Sequence, residues 1–76
     1  MDNLLEQGIA AYKAGKRDEA LKIFVSVVKQ SPDNALAWEW MYKVSNTDQE
    51  RDHCLQQILR INPRHEKANE LWKLAN

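Results

Sequence analysis

Apolar residues recur at helical spacing along most of the 76-residue chain. The segment from 4 to 12 places Leu4, Leu5, Gly8, Ile9 and Tyr12 on one side. The segment from 17 to 30 carries apolar residues at positions i, i+1, i+4, i+7 and i+8, which is one face of a helix. Although "IFVSVV" alone would also suit a strand, the run continues a helical pattern. Both segments are therefore predicted to be amphipathic helices.

Glycine, proline and capping residues divide the chain into five predicted helices. Gly15 suits the end of the first helix, while Pro32 and Pro63 end the second and the fourth. The stretch from Thr47 to Glu50 reads as a capping box that starts the fourth helix. Since the turns are short, consecutive helices are expected to pack as antiparallel neighbours. The pattern predicts one all-α domain over residues 1–76, built of antiparallel helix-turn-helix units.

The chain also resembles itself at a fixed offset. We call the shift that carries Pro32 onto Pro63 the repeat offset, and the same shift carries Ala37 onto Ala68. The apolar positions before each proline correspond in the same way, with Leu55 on Phe24, Ile58 on Val27 and Leu59 on Val28. Self-similarity of this kind indicates a repeat protein, in which each unit is a helix pair that stacks on the next.

The first unit resembles the tetratricopeptide repeat, whose pattern is W-x2-L-G-x2-Y, then A-x3-F, then P. Gly8, Ala20, Phe24 and Pro32 match it at the right spacing, whereas Leu4, Gln7 and Ala11 depart from it. In the second unit Trp38 takes the signature Trp position, but Tyr42 replaces the small Gly and Arg51 the small Ala. The resemblance implies an α-solenoid with repeat 1 at about 1–34, a degenerate repeat 2 at about 35–65 and a closing helix at about 65–75. Because the repeat offset is shorter than the tetratricopeptide period, the turn within repeat 2 is expected to be tightened.

Tetratricopeptide proteins generally bind peptides or protein segments in a concave groove lined by the first helix of each pair. The resemblance places six residues of this chain in such a groove: Leu5, Ile9, Tyr12, Leu36, Trp40 and Lys43. At the positions where one subclass clamps chaperone C-terminal carboxylates, only Lys67 fits, so that function is not expected. Trp38 and Trp40 point about 200° apart on one helix. Trp38 is expected in the core, while Trp40 lies either in the groove or in the core.

Composition disfavours several classes of function. Eleven basic residues balance eleven acidic ones, so the electrostatic footprint of a nucleic-acid or anionic-membrane binder is missing. The single Cys54 forms no internal disulfide and no signal peptide is evident, which favours the cytoplasm. His53, Cys54 and His65 lack the spacing of a zinc site, and adjacent helical residues diverge too far for a Cys–His dyad. No enzyme activity, metal or cofactor is expected.

Two hypotheses about function lead. A nucleic-acid binder ranks third, because its basic cluster is modest and consists of Lys13, Lys16, Arg17 and Lys22. The first is an interaction or scaffold module whose partner is another protein or a peptide. The second is a structural or self-associating element, since two and a half repeats are fewer than the three or so that a stable stack needs. In that case Trp72 and Leu74 on the last helix would cover a second copy, giving a homo-oligomer.

Overall fold

The computed structural model describes residues 3–75, apart from the side chain of Ala75, and confirms the predicted all-α fold with five helices. No strand occurs among these residues. Each helix packs against the next one along the chain, and α1 also approaches α3. The helices are α1 (Leu4–Lys13), α2 (Arg17–Gln30), α3 (Ala35–Val44), α4 (Asp48–Ile61) and α5 (Glu66–Ala75).

The helices recur with the same repeat offset as the sequence. This shift carries both ends of α1 onto those of α3, both ends of α3 onto those of α5, and both ends of α2 onto those of α4. The turn at 45–47 is therefore as long as the turn at 14–16, and the proline turns at 31–34 and 62–65 match as well. The expected tightening of the turn within repeat 2 is wrong, because the turn between α3 and α4 has the same length as the turn between α1 and α2.

Hydrogen bonds at the two proline turns repeat with the same offset. The Asn34 side chain accepts from the backbone N–H of Ala37 at 3.2 Å, and the ring of His65 accepts from the N–H of Ala68 at 3.1 Å. These bonds satisfy free N–H groups at the starts of α3 and α5. Both alanines are fully buried, which shows that the two helix starts enter the core at equivalent depth.

The carbonyl groups of the two prolines are also bonded alike. Trp38 Nε1 donates to the carbonyl oxygen of Pro32 at 2.9 Å, and Asn69 Nδ2 donates to that of Pro63 at 3.0 Å. The repeat offset carries Trp38 onto Asn69, so an amide replaces an indole in one role. Arg60 reaches the Pro32 carbonyl as well, at 3.1 Å from Nη2, and thereby joins the end of α4 to the first proline turn.

Local signals at the other helix ends act as predicted, with one change. Gly15 has φ +82°, and its N–H and that of Lys16 close a Schellman motif at the end of α1. Thr47 Oγ1 accepts from the N–H of Glu50 at 3.1 Å, as a capping box requires. The Glu50 carboxylate, however, accepts from the N–H of Asn46 at 3.1 Å, one residue before the expected position.

The helices α1 and α2 approach each other closely at Gly8. A Cβ atom at this position would lie 2.5 Å from Cε1 of Phe24, whose side chain is fully buried. Glycine is therefore required for the two helices to approach this closely. Trp38 lies in the core as predicted, with 7% of its surface exposed and its ring edge-on to His53 at 5.4 Å.

Candidate protein-binding surface

The six residues predicted to line a groove occupy three equivalent positions on α1 and α3. The repeat offset carries Leu5, Ile9 and Tyr12 onto Leu36, Trp40 and Lys43. The same shift gives three more residues on α5, which the sequence-based set did not include although the offset was visible in the sequence. We call these nine residues the stripe: Leu5, Ile9, Tyr12, Leu36, Trp40, Lys43, Lys67, Leu71 and Leu74.

Trp40 is half-buried between α1 and α2. Its ring stacks on Phe24 with centroids 6.3 Å apart and meets Tyr12 edge-on at 5.6 Å. Lys43 Nζ lies 4.6 Å from the centre of the ring, a cation–π geometry. Leu5 and Ile9 pack around the same buried cluster. Trp40 was expected either in the groove or in the core. Part of its ring is packed in the core, and part remains accessible on the stripe.

An open groove of about 260 Å³ lies between α3 and α5. Its floor is apolar and includes Leu55 and Ile58 of α4 and Ala68 of α5. The remaining lining residues are Glu39, Tyr42, Lys43, His65, Lys67 and Leu71. Of the six predicted residues only Lys43 lines this groove. Tyr42 was recognised in the sequence only as a departure from the repeat pattern, and His65 only as a discounted metal ligand.

A hydrogen bond links α3 to the start of α5 at one end of the groove. His65 and Glu39 are joined by a 3.1 Å contact between Nε2 and Oε1. Because Nδ1 of His65 accepts from the N–H of Ala68, the neutral ring carries its proton on Nε2 and donates it to Glu39. The same ring thus caps α5 and holds it to α3. The remaining charged groups in the lining are the ammonium groups of Lys43 and Lys67.

A second cavity, of about 350 Å³, lies between α2, α3 and α4, with Cys54 in its lining. Cys54 is 2% exposed, and burial raises the pKa of its thiol to about 11. A protonated, buried thiol is a poor nucleophile at neutral pH.

The ring of His53 packs against Trp38. Among the described residues no group of three or more His, Cys, Asp or Glu side chains could hold a metal ion.

Arg51, which stands where the repeat pattern has a small Ala, bonds within its own end of α4. Its guanidinium donates to Asp48 and to the Ser45 carbonyl, the latter at 3.4 Å. The bond with Asp48 raises the pKa of Arg51 above its ordinary value. Arg51 is therefore charged and directed to the turn before α4, so it takes no part in the stripe.

Two large apolar side chains are exposed among the described residues, and both belong to the stripe. Leu36 is 49% exposed and Leu74 is 85% exposed. Leu36 lies one helical turn before Trp40, and Leu74 lies one turn after Leu71. The stripe therefore carries apolar surface beyond what the packing of the five helices covers.

Comparison of the chain with protein-family models, with curated proteins and with solved structures finds no match. The resemblance to the tetratricopeptide repeat therefore rests on the residues quoted above.

Within residues 3–75 the longest helices have 14 residues, and none is long and apolar enough to cross a membrane.

Proposed function

We propose that this chain is a tetratricopeptide-like interaction or scaffold module that binds a peptide or protein segment along the stripe. The observation that carries the proposal is the exposure of Leu36 and Leu74, at 49% and 85%, at positions that helical spacing and the repeat offset place in register with Trp40. Apolar residues that gather on one exposed face are typical of protein–protein contact sites. The module performs no chemistry of its own, and its partner is another protein.

The electrostatics of the chain agree with a protein partner. Charges of the two signs balance at eleven each, which favours neither nucleic acid nor an anionic membrane. The single cysteine is a buried free thiol, which suits a reducing compartment, and we place the protein in the cytoplasm.

Affinity capture from the native host tests the proposal, with quantitative mass spectrometry as the readout. We expect Leu36→Glu and Leu74→Glu to deplete the same captured protein, because each introduces a charge into the apolar face. Gln56→Glu, an exposed change on α4 outside the stripe, is the matched control and should leave capture unchanged. Equal depletion by all three variants, or by none, would contradict a binding function of the stripe.

Trp40→Ala gives a second test on the same preparation. We expect it to weaken capture while the far-UV helical signal and cooperative melting persist, since the ring is only half-buried. If Trp40→Ala unfolds the domain, the ring acts as core and does not belong to the binding surface.

Self-association is the second candidate, and the end of α5 favours it. Among the described helices α5 packs against α4 alone, and Leu74 extends from it 85% exposed. A second copy would cover this surface. Light scattering over a range of concentrations distinguishes the two candidates: a dimer that Leu74→Glu dissociates supports self-association, and a monomer at all concentrations supports a separate partner.

A further inference from the structure

The repeat offset relates the space between α1 and α3 to the space between α3 and α5, and the first of these two spaces is filled. Between α1 and α3 the indole of Trp40 lies on Phe24 and against Tyr12. The repeat offset carries Trp40 onto Leu71, Phe24 onto Leu55 and Tyr12 onto Lys43. Two aromatic side chains thus become leucines and the third becomes a lysine. The space between α3 and α5 remains open as the groove of about 260 Å³.

We propose that this groove receives an aromatic side chain from the bound partner segment, in the position that Trp40 occupies in the first space. The inference rests on the proposed function and specifies the chemistry of the partner. Trp40 serves as an internal template, because the chain itself shows which kind of side chain fills the space between two of its first helices.

The volume and the lining of the groove both suit an aromatic ring. An apolar cavity of about 150 Å³ holds benzene, so a groove of about 260 Å³ has room for an indole. Leu55 and Ile58 supply an apolar floor for one face of the ring. A large aromatic side chain buries about 150–250 Å² when it packs.

The two lysines of the lining favour an aromatic ring over an aliphatic side chain. A Lys ammonium within about 6 Å of a ring centroid is attracted by the ring quadrupole. Lys43 already shows this geometry, with its Nζ 4.6 Å from the centre of the Trp40 ring on the other side. Lys43 and Lys67 both line the groove. Since the Lys43 ammonium lies on Trp40, Lys67 supplies the cation for a ring bound in the groove. Glu39, the acidic group of the lining, is hydrogen-bonded to His65.

A titration of the whole chain with N-acetyltryptophanamide, followed by backbone amide NMR shifts, tests the inference. N-acetylleucinamide is the matched probe without a ring. We expect saturable shifts at Lys43, Ala68 and Leu71, and an affinity for the tryptophan probe about fivefold above that for the leucine probe, the gain of a solvent-accessible cation–π contact. The amides of Val25 and Gln49, which border the other cavity, serve as an internal reference.

Leu71→Trp is the decisive variant, because it places an indole in the groove from within, at the position equivalent to Trp40. We expect it to abolish the probe-dependent shifts and to raise Tm by a few degrees. Gln56→Trp, which adds an indole at an exposed position of α4 outside the stripe and the groove, should leave probe binding unchanged. Leu71→Phe provides the same test with less added volume if Leu71→Trp lowers the helical CD signal.

Three results would overturn the inference: equal affinity for the two probes, shifts at the reference amides only, or binding that survives both Leu71 variants. Shifts at Lys43 and Ala68 that depend on protein concentration without any probe would assign the groove to a second copy instead. If partner capture is lost in Leu36→Glu but kept in Leu71→Trp, the proposed function stands and the aromatic occupant is wrong. If neither variant changes capture, the proposed function is wrong as well.

Discussion

Truncating Trp38 to alanine gives the sharpest test of the core. The side chain is 7% exposed, and its ring contacts His53 while its Nε1 donates to the Pro32 carbonyl at 2.9 Å. Replacing a buried Trp by Ala typically destabilises by about 3–5 kcal/mol. A 76-residue domain has a total stability of about 4–11 kcal/mol at about 0.05–0.15 kcal/mol per residue. The substitution is therefore expected to remove between about a quarter and all of the stability.

Trp38→Phe separates the hydrogen bond from the packing. It keeps an aromatic ring and loses the N–H donor, while the Pro32 carbonyl still accepts from Nη2 of Arg60 at 3.1 Å. Because the carbonyl stays bonded, the expected loss is about 1–2 kcal/mol, made of one net hydrogen bond and a small packing defect. A loss as large as that of Trp38→Ala would show that the carbonyl depends on the indole alone.

Urea unfolding followed by far-UV circular dichroism is the appropriate assay, since tryptophan fluorescence changes with the substitution itself. We expect a lower midpoint with an unchanged slope m, which reports a change in stability alone. In thermal melts each kcal/mol corresponds to about 4–8 °C in a domain of this size, so Tm of Trp38→Ala should fall by at least about 12 °C. Trp40→Ala is the control on the same helix, with a smaller loss because its ring is half-buried. A loss below about 1 kcal/mol for Trp38→Ala would refute the assignment of Trp38 to the core.

Substitutions at four further sites test individual features of the fold. Gly15→Ala should destabilise by about 1 kcal/mol in urea unfolding, because a non-glycine residue is strained at φ +82°, and Gly15→Asn should lose less. Gly8→Ala should lower the free energy of unfolding by about 1 kcal/mol after the gain from the higher helix propensity of alanine is included. A double-mutant cycle with Phe24→Leu should show that the effects of the two changes are not additive. Cys54 should react with iodoacetamide at about pH 8 only when urea unfolds the chain. Folding raises the pKa of the Cys54 thiol from about 9 to about 11. The thiol therefore contributes to folding stability below about pH 9, and this contribution is lost as the pH rises from about 9 to about 11. Over that range Cys54→Ala should lose less stability than the wild type. Thr47→Ala should destabilise by about 1 kcal/mol through loss of its bond to the N–H of the third residue of α4, whereas Thr47→Ser should match the wild type.

Sequence patterns predicted the helices because the physical causes of helix ends are local. Gly15 in a left-handed conformation, the Thr47 hydroxyl on a backbone N–H, and the two prolines each act within a few residues. Trp38 is buried as predicted, although the repeat offset carries Gln7, and not Leu4, onto it. The Glu50 carboxylate differed from its expected partner by one residue, since a flexible side chain selects among neighbouring N–H groups.

The candidate surface was only partly predictable, because some of its contacts join residues that are far apart in the sequence. The repeat offset places Leu71 and Leu74 in register with Trp40 and Lys43, and the sequence alone carries that information. It does not carry the bond between Glu39 and His65, which depends on how closely α3 and the start of α5 approach in space.

The amino-acid sequence by itself determined the number and type of helices, their ends and the equivalence of the first helices, since periodicity, caps and turns are properties of neighbouring residues. Only the tertiary structure decided which surfaces those helices leave open. Trp40 fills the space between α1 and α3 because Phe24 and Tyr12 stand where they can pack against it. The corresponding space between α3 and α5 remains a groove, because smaller side chains meet there across helices that are distant in sequence.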